Sequence, residues 1–109
     1  MSTYGVVLTT AGSEDEAKAI ASALVEAKLA ACVNLFPITS VYTWEGQVRR
    51  EAEWQLVIKT RLDCFDQLAA KVQALHSYDV PELIALPIER GSEAYLGWMG
   101  EQVVVGDGE

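Results

Sequence analysis

The segment between residues 76 and 82 contains the side chains best suited to bind a metal ion. His76 is the only histidine of the chain, and Asp79 and Glu82 follow it at intervals of three residues. An imidazole and carboxylates together can bind Cu(II) or Zn(II). The His-x-x-Asp-x-x-Glu spacing has no established coordination geometry, so other interpretations stay open. In the alternative interpretation, His76 is a helix C-terminal residue bound to free carbonyl groups, and Glu82 is an acidic residue of the surface or of an interface.

A second set of residues favours a small-molecule site. Lys59 follows an apolar run and would supply a positive charge. Trp44 and Tyr78 would supply apolar walls, and Glu53 would line the same cleft. Such a cleft between subunits suits a small anionic or zwitterionic ligand. In the alternative interpretation, Trp44 and Trp54 only pack in a subunit interface, and Lys59 is an isolated charge at the end of a strand.

The sequence provides no basis for a catalytic site. One histidine without a serine or cysteine set close to it in sequence defines no nucleophile–base pair. Ala11-Gly12-Ser13 lacks the spacing of a phosphate-binding glycine loop. Cys32 and Cys64 lie far apart, and we expect buried free thiols rather than a disulfide. We therefore expect a protein that is not an enzyme.

Length and composition limit the further possibilities. The 109 residues fit a single domain over 1–109, and half of them are apolar, which suffices for a core without disulfides or a structural metal. Sixteen acidic against eight basic residues give a net charge of −8, which argues against nucleic acid or an anionic membrane as partner. The first residues do not resemble a signal peptide, and no apolar run approaches the length of a membrane span. The default expectation is a cytoplasmic protein.

A long β-hairpin must position the candidate residues. Two segments rich in β-branched and aromatic residues, Cys32 to Trp44 and Val48 to Thr60, flank a turn at Gly46. Arms of this length reach roughly 40 Å, whereas a domain of this size has a diameter of about 34 Å. An isolated two-stranded ribbon is marginally stable in water, so we expect another subunit to cover it. Alternatively, the arms bend at Pro37 and curl onto the helices of the same chain.

The remaining segments alternate between strands and helices. Ser13 is the expected N-cap of the first helix and Asp63 that of the second, and Pro87 indicates an edge strand. The order β-α-β-β-α-β with an added C-terminal helix predicts an α+β fold, a ferredoxin-like sandwich in which two helices cover one face of a four-stranded antiparallel sheet. The further elements predicted are strands over 4–10 and 83–88 and helices over 14–29, 63–75 and 93–103.

Five short motifs together closely resemble the CutA family of divalent-cation tolerance proteins. In chain order they are Ala30 to Asn34, Tyr42 to Gly46, Ile58 to Thr60, Tyr78 to Leu83 and Tyr95 to Trp98. The resemblance covers nearly the whole chain. It implies a cytoplasmic, ferredoxin-like protomer that assembles as a homotrimer through its long hairpins, with a role in tolerance to copper and other divalent metals and in copper binding. The architecture also looks like that of the trimeric PII signalling proteins, which bind small molecules in clefts between subunits.

The resemblance also implies a set of copper ligands, of which this sequence retains one. The family's cysteine at the end of the first strand corresponds to Thr9, and its histidine corresponds to Leu75, one residue before His76. The family's carboxylate ligand corresponds to Glu82, and His76 would have to substitute for the missing imidazole. The expected function is metal tolerance with weak copper binding at most. The alternatives are a PII-like sensor that binds a small ligand in inter-subunit clefts and a trimeric scaffold without a ligand.

Overall fold

The hairpin contains the two longest strands of the structure. The computed structural model describes residues 3–104. Strands β2 (Cys32–Trp44) and β3 (Gln47–Arg61) pair antiparallel over the whole length of β2. Their β-branched and aromatic side chains suit the pleated surface of an extended strand. The principal extents are 43 × 28 × 23 Å, and the longest of them matches the reach of such strands.

The hairpin closes through a two-residue turn of left-handed backbone. Trp44 and Gln47 form the last strand pair, and Glu45 and Gly46 between them have φ angles of 51° and 78°. A type I′ turn requires positive φ at both central positions, and its twist matches that of the flanking strands. Gly46 adopts this conformation readily because it has no Cβ. The predicted turn at Gly46 is confirmed.

Two shorter strands complete the sheet. Strand β1 (Tyr4–Ala11) pairs antiparallel with β3 and with β4 (Ile84–Pro87), which gives the strand order β2-β3-β1-β4. Strand β4 lies at the edge, as Pro87 indicated, because proline donates no hydrogen bond to a further strand. Strand β1 ends at Ala11, opposite Trp54. The hairpin therefore continues beyond the last residue of β1.

Helices α1 (Glu14–Glu26) and α2 (Phe65–Leu75) cover one face of the sheet. Ser13 caps α1, because its hydroxyl oxygen accepts a 3.1 Å hydrogen bond from the Glu16 N–H. Since successive strand residues point to opposite faces, only one face of the sheet contributes to this core. The architecture is the predicted ferredoxin-like α+β sandwich. The core contains the buried side chains of Val7, Ile20, Leu24, Leu56, Ile58, Leu68 and Val72.

The C-terminal helix α3 (Glu93–Gln102) belongs to a second, smaller apolar cluster. Ser92 caps this helix by accepting a hydrogen bond from the Tyr95 N–H. Cys64 is buried, Cys32 is partly buried, and both are free thiols. None of the helices within residues 3–104 is long and apolar enough to span a membrane. The buried members of the cluster are Ala31, Cys64, Met99 and Val103.

Two details of the helices differ from the prediction. Helix α1 ends at Glu26 rather than near residue 29, because Lys28 takes a left-handed φ of 62° that breaks the helical path. Asp63 does not cap α2 but lies in a 3-10 turn over Leu62–Cys64. Its carboxylate instead accepts hydrogen bonds from the Arg61 guanidinium, the shorter of them 2.8 Å long. This ion pair competes with the capping role.

We expect Gly46→Ala to lower the free energy of unfolding by about 1–2 kcal/mol, because left-handed backbone is unfavourable for an L-residue. An added Cβ meets no atom within 4 Å at this position, so backbone strain is the whole cost. Chemical denaturation followed by circular dichroism measures the change. Gly97→Ala is the matched control: its Cβ also meets no atom within 4 Å, and it should raise helix stability by up to about 1 kcal/mol. Equal losses for both variants would contradict the turn assignment.

Candidate functional site

The hairpin and the loop between α2 and β4 enclose a groove of about 750 Å³. This volume falls in the range of small-molecule sites, which is about 300–1,000 Å³. Strand residues that line the groove are Ser40, Tyr42, Trp44, Arg49, Glu51 and Glu53. The loop contributes Tyr78, Asp79, Val80 and Glu82.

The alternation of strand side chains explains why these residues meet. Tyr42 pairs with Arg49 and Ser40 with Glu51 in the hairpin, and directly paired residues point to the same side of a sheet. Glu53 follows Glu51 by two residues and therefore shares that side. Helices α1 and α2 pack on the opposite face. The groove accordingly lies on the side of the sheet that faces away from these two helices.

Tyr78 connects the loop to the hairpin. Its hydroxyl donates a 2.7 Å hydrogen bond to Glu53 Oε2. Burial, together with this bond, raises the pKa of the Tyr78 phenol above its usual value of 10.0. The same hydroxyl lies beside Gly12, where an added Cβ would come within 3.2 Å of it. Tyr78 thus occupies the space next to β3 that β1 leaves free after Ala11.

A second tyrosine–glutamate pair lies further along the hairpin. The Tyr42 hydroxyl donates a 2.6 Å hydrogen bond to Glu51 Oε1. This bond raises the pKa of the Tyr42 phenol, because it stabilises the protonated form. Glu51 and Glu53 therefore each hold a tyrosine in place, at neighbouring positions on one face of β3.

His76 is enclosed, and both of its ring nitrogens have partners. Its side chain has no exposed surface. Nε2 lies 2.6 Å from the Thr10 carbonyl oxygen, and Nδ1 lies 3.1 Å from the Tyr78 backbone nitrogen. A neutral ring with its proton on Nε2 satisfies both contacts, because Nδ1 then accepts from the Tyr78 N–H. His76 thus binds a carbonyl group, but one of strand β1 rather than of its own helix.

The other candidate ligands do not converge with His76 on one point. Thr9 is fully buried, and its Oγ1 has no hydrogen-bond partner among residues 3–104. Leu75 offers no donor atom, and Glu82 is exposed in the groove. In the described part of the chain, no three His, Cys, Asp or Glu side chains are arranged to hold a metal ion. The residues present in one chain therefore do not fit the copper site that the family resemblance implies.

Lys59 lies outside the groove that Trp44, Glu53 and Tyr78 line. Its Nζ donates a hydrogen bond to Asn34 Oδ1 on the neighbouring strand. It lies six positions after Glu53 on β3, a distance of roughly 20 Å. The groove of one chain consequently has a negative character, and the predicted cleft between subunits around Lys59 stays a prediction. Its charged side chains are the carboxylates of Glu51, Glu53, Asp79 and Glu82 and the guanidinium of Arg49.

Sequence reasoning missed several groove residues. Tyr42, Arg49, Glu51 and Asp79 were not among the predicted small-molecule ligands, although Asp79 was considered for metal. A signal was available for the strand residues, because a period of two along β3 places 49, 51 and 53 on one face. The pairing register that brings Tyr42 opposite Arg49 also follows from the two-residue turn.

The fold and the groove define a class of small α+β proteins: a ferredoxin-like sheet, an overlong hairpin and an acidic groove with aromatic walls. The family model of the CutA1 divalent ion tolerance protein matches residues 5–102. The chain therefore belongs to the CutA1 family of divalent ion tolerance proteins, and its role lies in tolerance to divalent cations.

Individual relatives agree with this assignment. The divalent-cation tolerance protein CutA of Thermus thermophilus is 50% identical over 97 residues, which cover 88% of this chain and 94% of the relative. That of Archaeoglobus fulgidus is 44% identical over 100 residues, which cover 92% and 98%. The crystal structure of CutA1 from Oryza sativa superposes with a TM-score of 0.93 at 44% identity, covering 96% of this chain and 97% of that one.

We expect the free energy of unfolding to fall as the pH rises above about 10, because the unfolded Tyr78 phenol then ionises while the folded one stays protonated. The stabilisation from the raised pKa is fully present below that pH. Tyr78→Phe should start from a lower stability, since it lacks the bond to Glu53, but show a flatter alkaline decline. Denaturation curves between about pH 8 and pH 11 measure both effects. Tyr42→Phe, which removes an exposed phenol, should flatten the alkaline decline less than Tyr78→Phe does. An identical decline in the wild type and in Tyr78→Phe would contradict the assignment of the raised pKa to Tyr78.

Proposed function

We propose that this protein acts in divalent-cation tolerance as a cytoplasmic homotrimer and catalyses no reaction. Membership of the CutA1 family supports the tolerance role, and the family's name describes tolerance rather than catalysis. The observation that supports an assembly is the apolar face of the sheet.

That face is uncovered in a single chain. On the side away from α1 and α2, Phe36, Ile84 and Leu86 are 44%, 49% and 45% exposed. Further out on the hairpin, Trp44 on the same face is 57% exposed. Soluble monomers rarely expose large contiguous apolar patches, and such patches mark interaction sites. Burial of this surface by further copies of the chain would remove the unfavourable contact with water.

The number of copies comes from the family resemblance. A closed cyclic assembly allows every copy to bury the same surface, without leaving a free patch. Geometry alone supports more than one copy, and the resemblance to CutA proteins supports three. The long hairpins are the elements that reach from one protomer to the next in this proposal.

Within this proposal, Glu82 is the cation contact of each chain. It is exposed and free of hydrogen bonds within residues 3–104, whereas the ring nitrogens of His76 are both engaged. A carboxylate favours hard divalent cations, and a single one binds them weakly. Thr9 contributes nothing, because its hydroxyl is enclosed. Copper would therefore gain no preformed site in the isolated chain.

A second function is favoured by the groove itself. Its volume and aromatic walls suit the PII-like sensing of a small ligand. A trimeric scaffold without any ligand is the remaining alternative. Titrations with metals and with metabolites separate the metal-binding, sensor and scaffold hypotheses, because a ligand that binds the folded state raises the melting temperature. A scaffold would respond to neither.

Native mass spectrometry at low micromolar concentration should give three times the 11.9 kDa mass of one chain. Leu86→Glu should shift the protein to smaller species, because it introduces a charge into the proposed apolar interface. Val25→Glu is the matched control on α1, where Val25 is 42% exposed, and it should leave the mass unchanged. A well-folded monomer of the unmodified chain would contradict the proposal.

Calorimetric titration with Cu(II) should detect weak binding that decreases in Glu82→Ala. His76→Gln should not abolish this binding, because neither ring nitrogen is free to coordinate in the folded protein. Circular dichroism checks that this variant folds, and Glu26→Ala controls for the loss of an exposed carboxylate. Tight stoichiometric binding that is lost in His76→Gln would show that the imidazole is a ligand after all.

A further inference from the structure

We propose that His76 and Glu16 form a pH-sensitive latch on the loop that carries Tyr78 and Glu82. While the imidazole is uncharged, it holds this loop through the Tyr78 N–H. When the imidazole gains a proton, it exchanges that partner for the Glu16 carboxylate, which lies on its other side. All the groups involved belong to one chain and are enclosed by it. The latch therefore depends neither on a free surface nor on the number of copies in the assembly.

The imidazole of His76 contacts three segments of the fold. Its side chain has no exposed surface, although it sits where helix α2 ends. Strand β1 places the Thr10 carbonyl oxygen 2.6 Å from Nε2. The loop places the Tyr78 backbone nitrogen 3.1 Å from Nδ1, and α1 places Glu16 Oε2 3.6 Å from the same Nδ1. A proton that this ring gains or loses consequently acts on the contacts between these segments.

The two partners of Nδ1 suit opposite protonation states. In the neutral ring with its proton on Nε2, the lone pair of Nδ1 accepts the hydrogen bond from the Tyr78 N–H. In the charged ring both nitrogens carry a proton, so Nδ1 becomes a donor and the Tyr78 N–H loses its acceptor. The Thr10 carbonyl oxygen accepts from Nε2 in both states. It follows that protonation changes the contacts on the loop side of the ring and leaves the contact with β1 intact.

Glu16 is placed to accept the new hydrogen bond from Nδ1. Its Oε2 already accepts a 2.8 Å hydrogen bond from the Ser77 N–H, and a carboxylate oxygen has a second lone pair. Burial acts to raise the pKa of Glu16, but the hydrogen bonds from Ser77 and Gly12 outweigh it and lower that pKa. The carboxylate therefore stays ionised through the range in which imidazoles titrate. Closing the 3.6 Å distance to about 2.8 Å would give a charge-assisted hydrogen bond.

The other titratable groups on this side of the ring do not change charge together with it. The Tyr78 ring lies with its centroid 4.7 Å from that of the imidazole. Burial and the hydrogen bond to Glu53 of β3 raise the pKa of the Tyr78 phenol, so the phenol stays neutral where imidazoles titrate. Strand β1 faces the ring with the carbonyl group of Thr10, which does not titrate.

The loop responds to the exchange because its first residues are anchored by these bonds. Ser77 stays bound to Glu16 in both states, whereas Tyr78 loses the acceptor of its N–H when the ring is charged. We therefore expect the segment from Tyr78 to Glu82 to loosen while Ser77 stays fixed. The position of Glu82, the proposed cation contact, then depends on a proton bound by another side chain.

Nuclear magnetic resonance of the isotope-labelled, intact protein between about pH 8 and pH 5 tests the latch. At the alkaline end we expect a neutral imidazole with its proton on Nε2. As the ring gains a proton, hydrogen exchange of the Tyr78 amide should accelerate about tenfold with the same midpoint, after correction for the intrinsic pH dependence of exchange. The Ser77 amide should stay protected, because its acceptor is Glu16.

Two variants of α1 separate the charge of Glu16 from a general effect of acidic residues. Glu16→Gln should lower the midpoint of the His76 titration by about 1 pH unit or more, because it removes the negative charge beside Nδ1 and keeps the shape of the side chain. Glu26→Gln is the matched control. It removes a carboxylate ten positions along the same helix, about 15 Å away, where salt screens the interaction, and it should leave the midpoint unchanged.

Three results would overturn the inference. The first is an imidazole that stays neutral down to pH 5 or gains its proton only when the whole chain unfolds. The second is a ring that titrates without any change in the exchange of the Tyr78 amide. The third is an equal midpoint in Glu16→Gln and Glu26→Gln. The titration of the unmodified protein decides the first two even if Glu16→Gln does not fold. These readouts concern one chain, so a failure of the proposed assembly or cation binding would leave them unaffected.

Discussion

The structure depends on the unequal lengths of its paired strands. Strand β1 ends at Ala11 opposite Trp54, whereas β3 begins at Gln47, so within residues 3–104 the distal hairpin has main-chain partners only in its own two strands. One face of the sheet packs under α1 and α2, and the other carries exposed apolar side chains such as Phe36, Ile84 and Leu86 beside the acidic groove. An unsupported two-stranded ribbon is marginal in water. The groove, the exposed aromatic side chains and the proposed assembly all result from this mismatch.

A polar network around His76 fixes the loop that closes the groove. The imidazole links the Thr10 carbonyl oxygen of β1 to the Tyr78 N–H. Glu16 Oε2 accepts a 2.8 Å hydrogen bond from the Ser77 N–H. Burial acts to raise the pKa of Glu16, but the hydrogen bonds from Ser77 and Gly12 outweigh it and lower that pKa. These contacts hold the loop against the end of β1, and the Tyr78 hydroxyl reaches Glu53 from there. His76 therefore helps to position this loop.

Membership of a metal-tolerance family and the side chains of this chain lead to different expectations for copper. The position of the family's cysteine is occupied by Thr9, whose hydroxyl is buried without a partner in the described part of the chain. A buried, unpaired hydroxyl destabilises a fold, so its presence is not explained by stability. Glu82 alone of the three expected ligands is exposed with a suitable atom. Within residues 3–104, the side chains of one chain therefore do not form the soft copper site that the resemblance implies.

The sequence by itself determined the strands, the turn at Gly46 and the ferredoxin-like order, because these follow from local periodicity and from backbone preferences of neighbouring residues. It failed where distant segments meet. His76 and Thr10 are 66 residues apart, and Tyr78 and Glu53 are 25 apart, so no local pattern predicts either hydrogen bond. Only the tertiary structure decided that the imidazole is enclosed and that the groove is acidic. The physical reason is that a side chain's partners depend on which elements the chain brings together, whereas its secondary structure depends mainly on its neighbours in sequence.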